Sequence, residues 1–462
     1  MLVIYNSLTQ QKETFHPLQP SQVKIYVCGI TVYDYCHMGH AKSMVSFDVV
    51  VRYLRNQGYQ VTHVRNITDI DDKIIQRAQA NNESIEALTE RFIGAMNEDA
   101  QALGLLVPTV EPRATQYMPQ MLEMIQRLLD QEYAYVTAAG DVYYRVDKFE
   151  HYGCLSHKKL DELQVGKRVD VDEQKENPLD FVLWKAAKPG EPEWAAPWGS
   201  GRPGWHIECS AMSTHCLGDT FDIHGGGADL LFPHHENEIA QAEAATQKPY
   251  VRYWMHNGFI QINEEKMSKS LGNFFTIREV LKQYSGEVLR YFIIASHYRS
   301  QLNYSEENLQ QAQESLTRLY LTLRDVNAIV ELTQPDEQLD QHIQRFYQVM
   351  DDDFNTPKAL SVLHELATEV NRFNAADPVA AAGWAFVLRK LAHILGLLEQ
   401  NPLDYFNQSS AEDAVVIEQL IAQRIQARAD KQWQRADQIR DDLLVIGIIL
   451  EDKEGKTLWR KK

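Results

Sequence analysis

The chain has 462 residues, enough for about three domains at the usual ~150 residues each. Its 44% hydrophobic, 24% charged and 10% aromatic composition is that of a globular protein and excludes a disordered or fibrous chain. The net charge of −18, from 46 basic and 64 acidic residues, repels polyanions on average and excludes nonspecific adhesion to DNA or anionic lipid, though not a local basic site.

The opening Met1-Leu-Val-Ile-Tyr-Asn carries neither a basic leader nor a long apolar run, and no window approaches eighteen apolar residues, so a cytoplasmic protein with no membrane partner is expected. Five scattered cysteines, Cys28, Cys36, Cys154, Cys209 and Cys216, suit thiols or metal ligation rather than a disulfide framework. Lys24-Ile-Tyr-Val-Cys28 reads as a strand. A helix is expected from about His40 to Gly58, with Gly58 as its stop, and Gln60 to Ile67 reads as a second strand. Strand, helix and strand make a βαβ unit of a parallel sheet, whose ligands sit beyond the carboxyl ends of the strands, where Cys28 and Thr68 fall. A helix-rich stretch to about Leu106 and a mixed segment with a strand over Gly140–Val146 read as an insertion. The Pro/Gly/Trp-rich passage Pro189–Trp205 punctuates the chain before a helix over Ile207–Cys216 and a strand over Thr220–His224 resume the sheet. Beyond about Ser305 the apolar spacing is helical and fits a bundle, with Pro402–Asp413 as a linker. From Ile421 to Lys462 ten Lys/Arg face seven Asp/Glu, a reversal of sign that makes the tail a candidate nucleic-acid contact.

Three constellations carry chemistry. His37-Met-Gly-His40 lies at a strand-to-helix junction, where backbone N–H groups and two imidazoles favour a phosphoryl group and Gly39 permits close approach; alone, the pair is equally well two surface histidines. Lys266-Met-Ser-Lys-Ser270 sits in a polar loop, and its lysines have the reach to draw off pyrophosphate; alone, it is a solvated charged loop. Cys28, Cys209, His234 and Glu238 are zinc-ligand types, the last two four apart on one helix face. Spacing alone does not bring Cys28 and Cys209 together, and a buried strand cysteine beside a polar helix fits the same residues. Gly225-Gly-Gly227, after a strand, permits backbone approach to a nucleotide.

The histidine and lysine motifs resemble the two signatures of class I aminoacyl-tRNA synthetases. Tyr26–Asp34, Asn66–Lys73, Gly204–Ser210, His224–Leu230 and Phe232–Glu238 resemble, in order, the cysteine-specific family. The resemblance implies an α/β fold, a Rossmann-like catalytic domain with an insertion, then a helical bundle and a small anticodon-binding module. It divides the chain into catalytic halves 1–110 and 201–260, an insertion 111–200, a signature-loop and stem-contact region 261–310, a bundle 311–400, and a linker with the anticodon module 401–462. It also implies one Zn²⁺ on Cys28, Cys209, His234 and Glu238, with Cys36 and Cys216 structural. ATP is expected on Gly39, Gly225, Gly226, Gly227, Asp229 and Lys269, with Mg²⁺ as counter-ion, and cysteine beside Thr68, Trp205 and His224.

Catalysis is then expected from His37, His40, Lys266 and Lys269, with L-cysteine, ATP and tRNA(Cys) as partners of a monomer. A thiolate held by zinc rejects serine strongly enough that no editing domain is expected. Trp433, Arg428, Arg435, Arg440 and Trp459 are candidates for stacking on anticodon bases and contacting phosphates. Ile30, Met38 and Lys42 depart from the family's commoner proline, isoleucine and arginine. Two rivals share the catalytic domain: a ligase joining cysteine to an aminosugar in thiol biosynthesis, which has no need of the basic tail, and a silent RNA-binding relative, which has no need of the complete site.

Overall fold

The computed structural model describes residues 1–158, 174–262, 265–266, 274–326, 329–331, 336–406, 411–445, 448–453 and 456–461. They fall into two compact units. The first is Met1–Glu314 with Glu337–Leu363 and Ile394–Leu397; the second is Ser315–Asp336 with His364–His393 and Leu398–Lys462.

In the first unit a hairpin, β1 (Val3–Asn6) and β2 (Gln11–Thr14), precedes β3 (Gln22–Thr31), α1 (Met38–Asn56) and β4 (Gln60–Thr68). Helix α1 begins earlier than its apolar pattern implies because His37 caps it. The His37 ring Nδ1 accepts from the Gly39 and His40 N–H groups, and His40 Nδ1 accepts from the His37 N–H. At the other end Gly58, at φ 88°, turns the chain out of the helix. Helices α2 (Asp72–Asn81), α3 (Ile85–Ala102) and α4 (Met118–Asp130) follow.

The insertion is a four-stranded antiparallel sheet of β5 (Ala134–Val136), β6 (Val142–Tyr144), β7 (Phe181–Ala186) and β8 (Gly201–Pro203). The strand expected over Gly140–Val146 shortens to β6. The Pro189–Trp205 passage, expected only as punctuation, contributes β8 by pairing Arg202 and Pro203 with Lys185 and Trp184. Helix α5 (Trp205–Leu217) then leads through β9 (Phe221–Gly227) and α6 (Glu236–Thr246) to β10 (Val251–Asn257).

Strands β10, β9, β3 and β4 lie side by side in that order, all parallel, with Tyr26 opposite His224 and Val27 opposite Gly225 and Arg65. Val23, Ile25, Tyr26 and Val27 are all buried, as befits a strand covered on both faces. A register shift between Val27 and Ile30 bends the end of β3. Strands β11 (Ile260–Ile262), β12 (Glu265–Lys266) and β13 (Leu302–Tyr304) form a small side sheet.

Beyond Ser305 the chain is helical over Glu306–Arg324, Glu337–Met350, Thr356–Ala376 and Pro378–Ile394. Pro402–Phe406, expected within a linker, is a short helix: Pro402 suits its first turn and Asn401 Oδ1 accepts the Leu403 N–H. Residues 407–410 of the expected linker lie outside the described residues. Helices Ala411–Ala429 and Trp433–Val445 pack with the hairpin Ile448–Lys453 and Lys456–Lys461 around Ile421, Leu443, Leu450 and Trp459. Among the described residues no helix is long and apolar enough to cross a membrane.

Candidate functional site

A cavity of about 380 Å³ opens at the carboxyl ends of β3, β9 and β10, where the strand order reverses and α/β sheets bind ligands. Cys28, His37, His40, Trp205, Gly227 and Asp229 line it, and Gly39 lies in the same wall. The two histidine rings stack with centroids 3.7 Å apart. Because each Nδ1 accepts a backbone N–H, each neutral ring carries its proton on Nε2. The helix cap thus fixes both imidazoles as donors through Nε2 at a helix N-terminus.

The chain just past the lysine motif is tied to this turn. Met38 N–H donates to Phe275 O at 3.1 Å, Ile277 N–H to Cys36 O at 2.9 Å, and His37 meets Phe274 edge-on at 5.1 Å. At the start of the motif, Lys266 lies in β12, paired with Gln261; Lys269 lies outside the described residues, as does the Lys266 side chain. Lys42, buried in α1, donates to the carbonyls of Phe259 and Ser300, which explains a long cation at that position.

The four proposed metal ligands come together. Cys28 is the last apolar residue of β3 before the bend, Cys209 lies one turn into α5, His234 precedes α6 and Glu238 sits in its first turn. The Cys28 thiol donates to Cys209 Sγ at 3.7 Å and to Glu238 Oε1 at 3.4 Å; His234 Nε2 lies 3.0 Å from Glu238 Oε1 and 3.5 Å from Cys28 Sγ. The donated Cys28 hydrogen bond brings the Cys209 thiol down to about 6, whereas burial pushes Cys28 up. Burial alone would lower His234, but Glu238 and Cys209 raise it to about 10.

Two sulfurs, an imidazole and a carboxylate, with donor atoms within 4.8 Å of one another and no disulfide between the sulfurs, fit a metal ion. Cys28, His224, His235 and Glu238 satisfy the same spacing. Cys28, which lines the cavity, and Glu238 belong to both sets; the first differs in offering a second sulfur, Cys209, and an imidazole, His234, that stacks on Trp205 of the cavity wall.

The expected cysteine pocket is only partly assembled. Trp205 is 39% exposed, lines the cavity and stacks on His234 at 4.2 Å. His224 instead backs the metal set: its Nε2 lies 2.8 Å from Glu238 Oε2, which also accepts from Tyr250 OH at 3.2 Å. Thr68 is buried and donates to Glu208 Oε2 at 3.0 Å, and neither Thr68 nor His224 is in the cavity wall.

Gly225 and Gly226 are likewise behind the wall. A Cβ on Gly225 would sit 2.3 Å from the Phe47 ring, so this glycine brings β9 against α1. Residues not singled out from the sequence include Glu208, Tyr250 and His206, whose Nδ1 lies 2.8 Å from His234 Nδ1. Their signal lay only in the motif Gly204–Ser210 and in a strand start remote from it. Cys36 and Cys216 stand apart from the metal set, burial raising the Cys36 thiol to about 12.

In the C-terminal module Trp433 is 58% exposed and Arg435 and Arg440 are exposed. Arg428 pairs with Asp452 at 2.7 Å. Trp459 is not available for stacking on a base: it is 7% exposed, packs in the module's core, and its Nε1 donates to Glu418. Hairpin pairing with Leu450 turns its ring inward.

A parallel sheet with two histidines capping its first helix above a nucleotide-sized cavity is the arrangement of class I aminoacyl-tRNA synthetases. Residues 14–314 match the catalytic domain of tRNA synthetases class I (C), 345–399 a DALR domain, and 415–460 the cysteinyl-tRNA ligase anticodon binding domain. Among solved structures the fold is similar to Mycobacterium tuberculosis methionyl-tRNA synthetase bound by methionyl-adenylate, with a TM-score of 0.62 at 15% identity over 84% of this chain and 95% of that one. The chain is 60% identical to the cysteine–tRNA ligase of Thioalkalivibrio sulfidiphilus and 58% identical to that of Methylococcus capsulatus, over 100% of both chains in each case. It belongs to the class I cysteinyl-tRNA synthetase family and is an aminoacyl-tRNA ligase.

Proposed function

We propose that the chain activates L-cysteine with ATP and transfers it to tRNA(Cys), with zinc selecting the substrate. The observation that carries this reading is the meeting of Cys28, Cys209, His234 and Glu238 in one cluster, of which Cys28 lines the same cavity as His37 and His40. When bound, Zn²⁺ on those four residues supplies a soft Lewis acid for the substrate sulfur, lowering its pKa so that cysteine is held as the thiolate and serine is not.

In the first step the cysteine carboxylate attacks the α-phosphorus of ATP and the bond to pyrophosphate breaks. The Nε2–H groups of His37 and His40 donate to the phosphoryl oxygens as charge develops there. Gly39 and Gly227 let backbone approach the nucleotide, Asp229 takes its polar edge, and Trp205 closes the metal end. Lys266 and Lys269 are assigned to the leaving pyrophosphate on their sequence chemistry. In the second step a terminal ribose hydroxyl of the tRNA attacks the activated carbonyl and AMP leaves. Mg²⁺ accompanies ATP, and the protein works as a cytoplasmic monomer.

Transfer of labelled cysteine to purified tRNA, with pyrophosphate exchange followed in parallel, tests the reading. Charging confined to tRNA(Cys) is expected. Exchange without charging would favour the thiol-biosynthesis ligase, and neither signal with zinc-replete protein would favour a silent relative.

A further inference from the structure

Helix α5 contributes more to the metal centre than Cys209. Trp205, His206 and Cys209 share one face at helical spacing, and the first two bracket the His234 ring. Trp205 stacks on it with centroids 4.2 Å apart at 27°, and His206 Nδ1 meets His234 Nδ1 at 2.8 Å. A ring-to-ring contact of that length needs one donor and one acceptor. The other His234 nitrogen, Nε2, faces Glu238 and Cys28 inside the ligand set. With that lone pair committed to a cation, His234 carries its proton on Nδ1 and donates, so His206 accepts on Nδ1 and holds its own proton on Nε2.

We propose that His206 is a positioning residue for the metal centre, accepting the His234 Nδ1–H so that Nε2 of His234 presents its lone pair to the ion. The inference rests on the zinc reading above. A hydrogen bond to the far nitrogen of a metal-ligating histidine fixes its tautomer and its ring plane, and losing such a bond typically weakens binding about 10- to 100-fold. Phe181 meets the His206 ring edge-on at 5.7 Å, so the insertion's sheet in turn holds the orienting residue.

The test is zinc affinity of the full chain, measured by competition with a chromophoric chelator, for the unaltered protein, H206L, H206N and C28A. H206L cannot accept, and its affinity should fall about 10- to 100-fold. H206N keeps an acceptor oxygen close to the position of Nδ1 and should stay within about threefold of the unaltered protein, well inside the range set by complete loss of the bond. Unchanged affinity in H206L beside a loss in C28A overturns the positioning role. Equal losses in H206L and H206N overturn it too, since packing alone would then be at stake. Unchanged affinity in C28A instead refutes the zinc reading itself. Independently of any variant's folding, ¹⁵N-histidine spectra of the zinc-loaded protein should show His234 Nδ1 protonated and His206 Nδ1 unprotonated. The reverse pair overturns the inference.

Discussion

At the scale of single residues, the two motif histidines use Nδ1 to cap α1, which leaves Nε2 for the phosphate in the proposed reaction. H40A removes one donor aimed at developing charge and half of the capping box. Pyrophosphate exchange at saturating substrate should fall about 100-fold, with the KM for cysteine nearly unchanged. A comparable rise in that KM would place His40 in ground-state binding instead. His63, 7% exposed, shows a burial effect of another kind. Burial, aided by Arg65, lowers it to about 3, so it stays neutral in the fold while the unfolded chain binds a proton below about 6.5. The unfolded state therefore holds the extra proton, and stability is lost as pH falls through that window. Between pH 7 and pH 5 the unaltered protein should lose roughly 2 kcal/mol more than H63Q in urea unfolding, and equal losses would dismiss the assignment.

At the scale of elements, the insertion holds the proposed metal ligands in place. Gly204 N–H donates to Leu183 O at 2.8 Å, and a Cβ on Gly204 would sit 2.3 Å from Val182 O, so β7 fixes where α5 starts. Helix α5 carries Trp205, His206 and Cys209, so displacing its first turn moves a ligand and both supports of another. G204A should cost roughly 1–3 kcal/mol and weaken zinc binding together. Lost stability with unchanged zinc affinity would uncouple the insertion from the site. The β3–α1–β4 unit is readable locally, because Ile25–Cys28 is an unbroken apolar run and Gly58 ends a helical pattern. The true start of α1 is not, since the cap is a histidine whose ring turns back on its own backbone. Strand β8 is invisible for a different reason: Gly201-Arg-Pro203 has no strand periodicity and is a strand only because β7 lies beside it.

At the scale of the whole molecule, the zinc set and the histidine motif are legible in the sequence through the family motifs around them, because in isolation the same residue types fit surface histidines and a buried strand cysteine equally well. Thr68 was expected around the amino acid from its match to a family position and His224 as the end of a strand, yet β9 runs on to Gly227, and Thr68 and His224 hydrogen-bond to Glu208 and Glu238 outside the cavity wall. Strand ends locate a site, but they do not say which way a side chain faces. The same distinction separates the two C-terminal tryptophans, equally plausible as base platforms in sequence and opposite in burial. W433A should raise the KM for tRNA about tenfold while leaving pyrophosphate exchange unaltered, as expected for losing one stacking surface. An unchanged KM would remove Trp433 from the RNA interface.

The proposed chemistry requires that the metal select the substrate's sulfur. Zinc K-edge X-ray absorption of the loaded protein should give a coordination shell with two sulfurs, from Cys28 and Cys209. Saturating cysteine should add a third sulfur, and serine should add none. A sulfur count unmoved by cysteine would contradict the account.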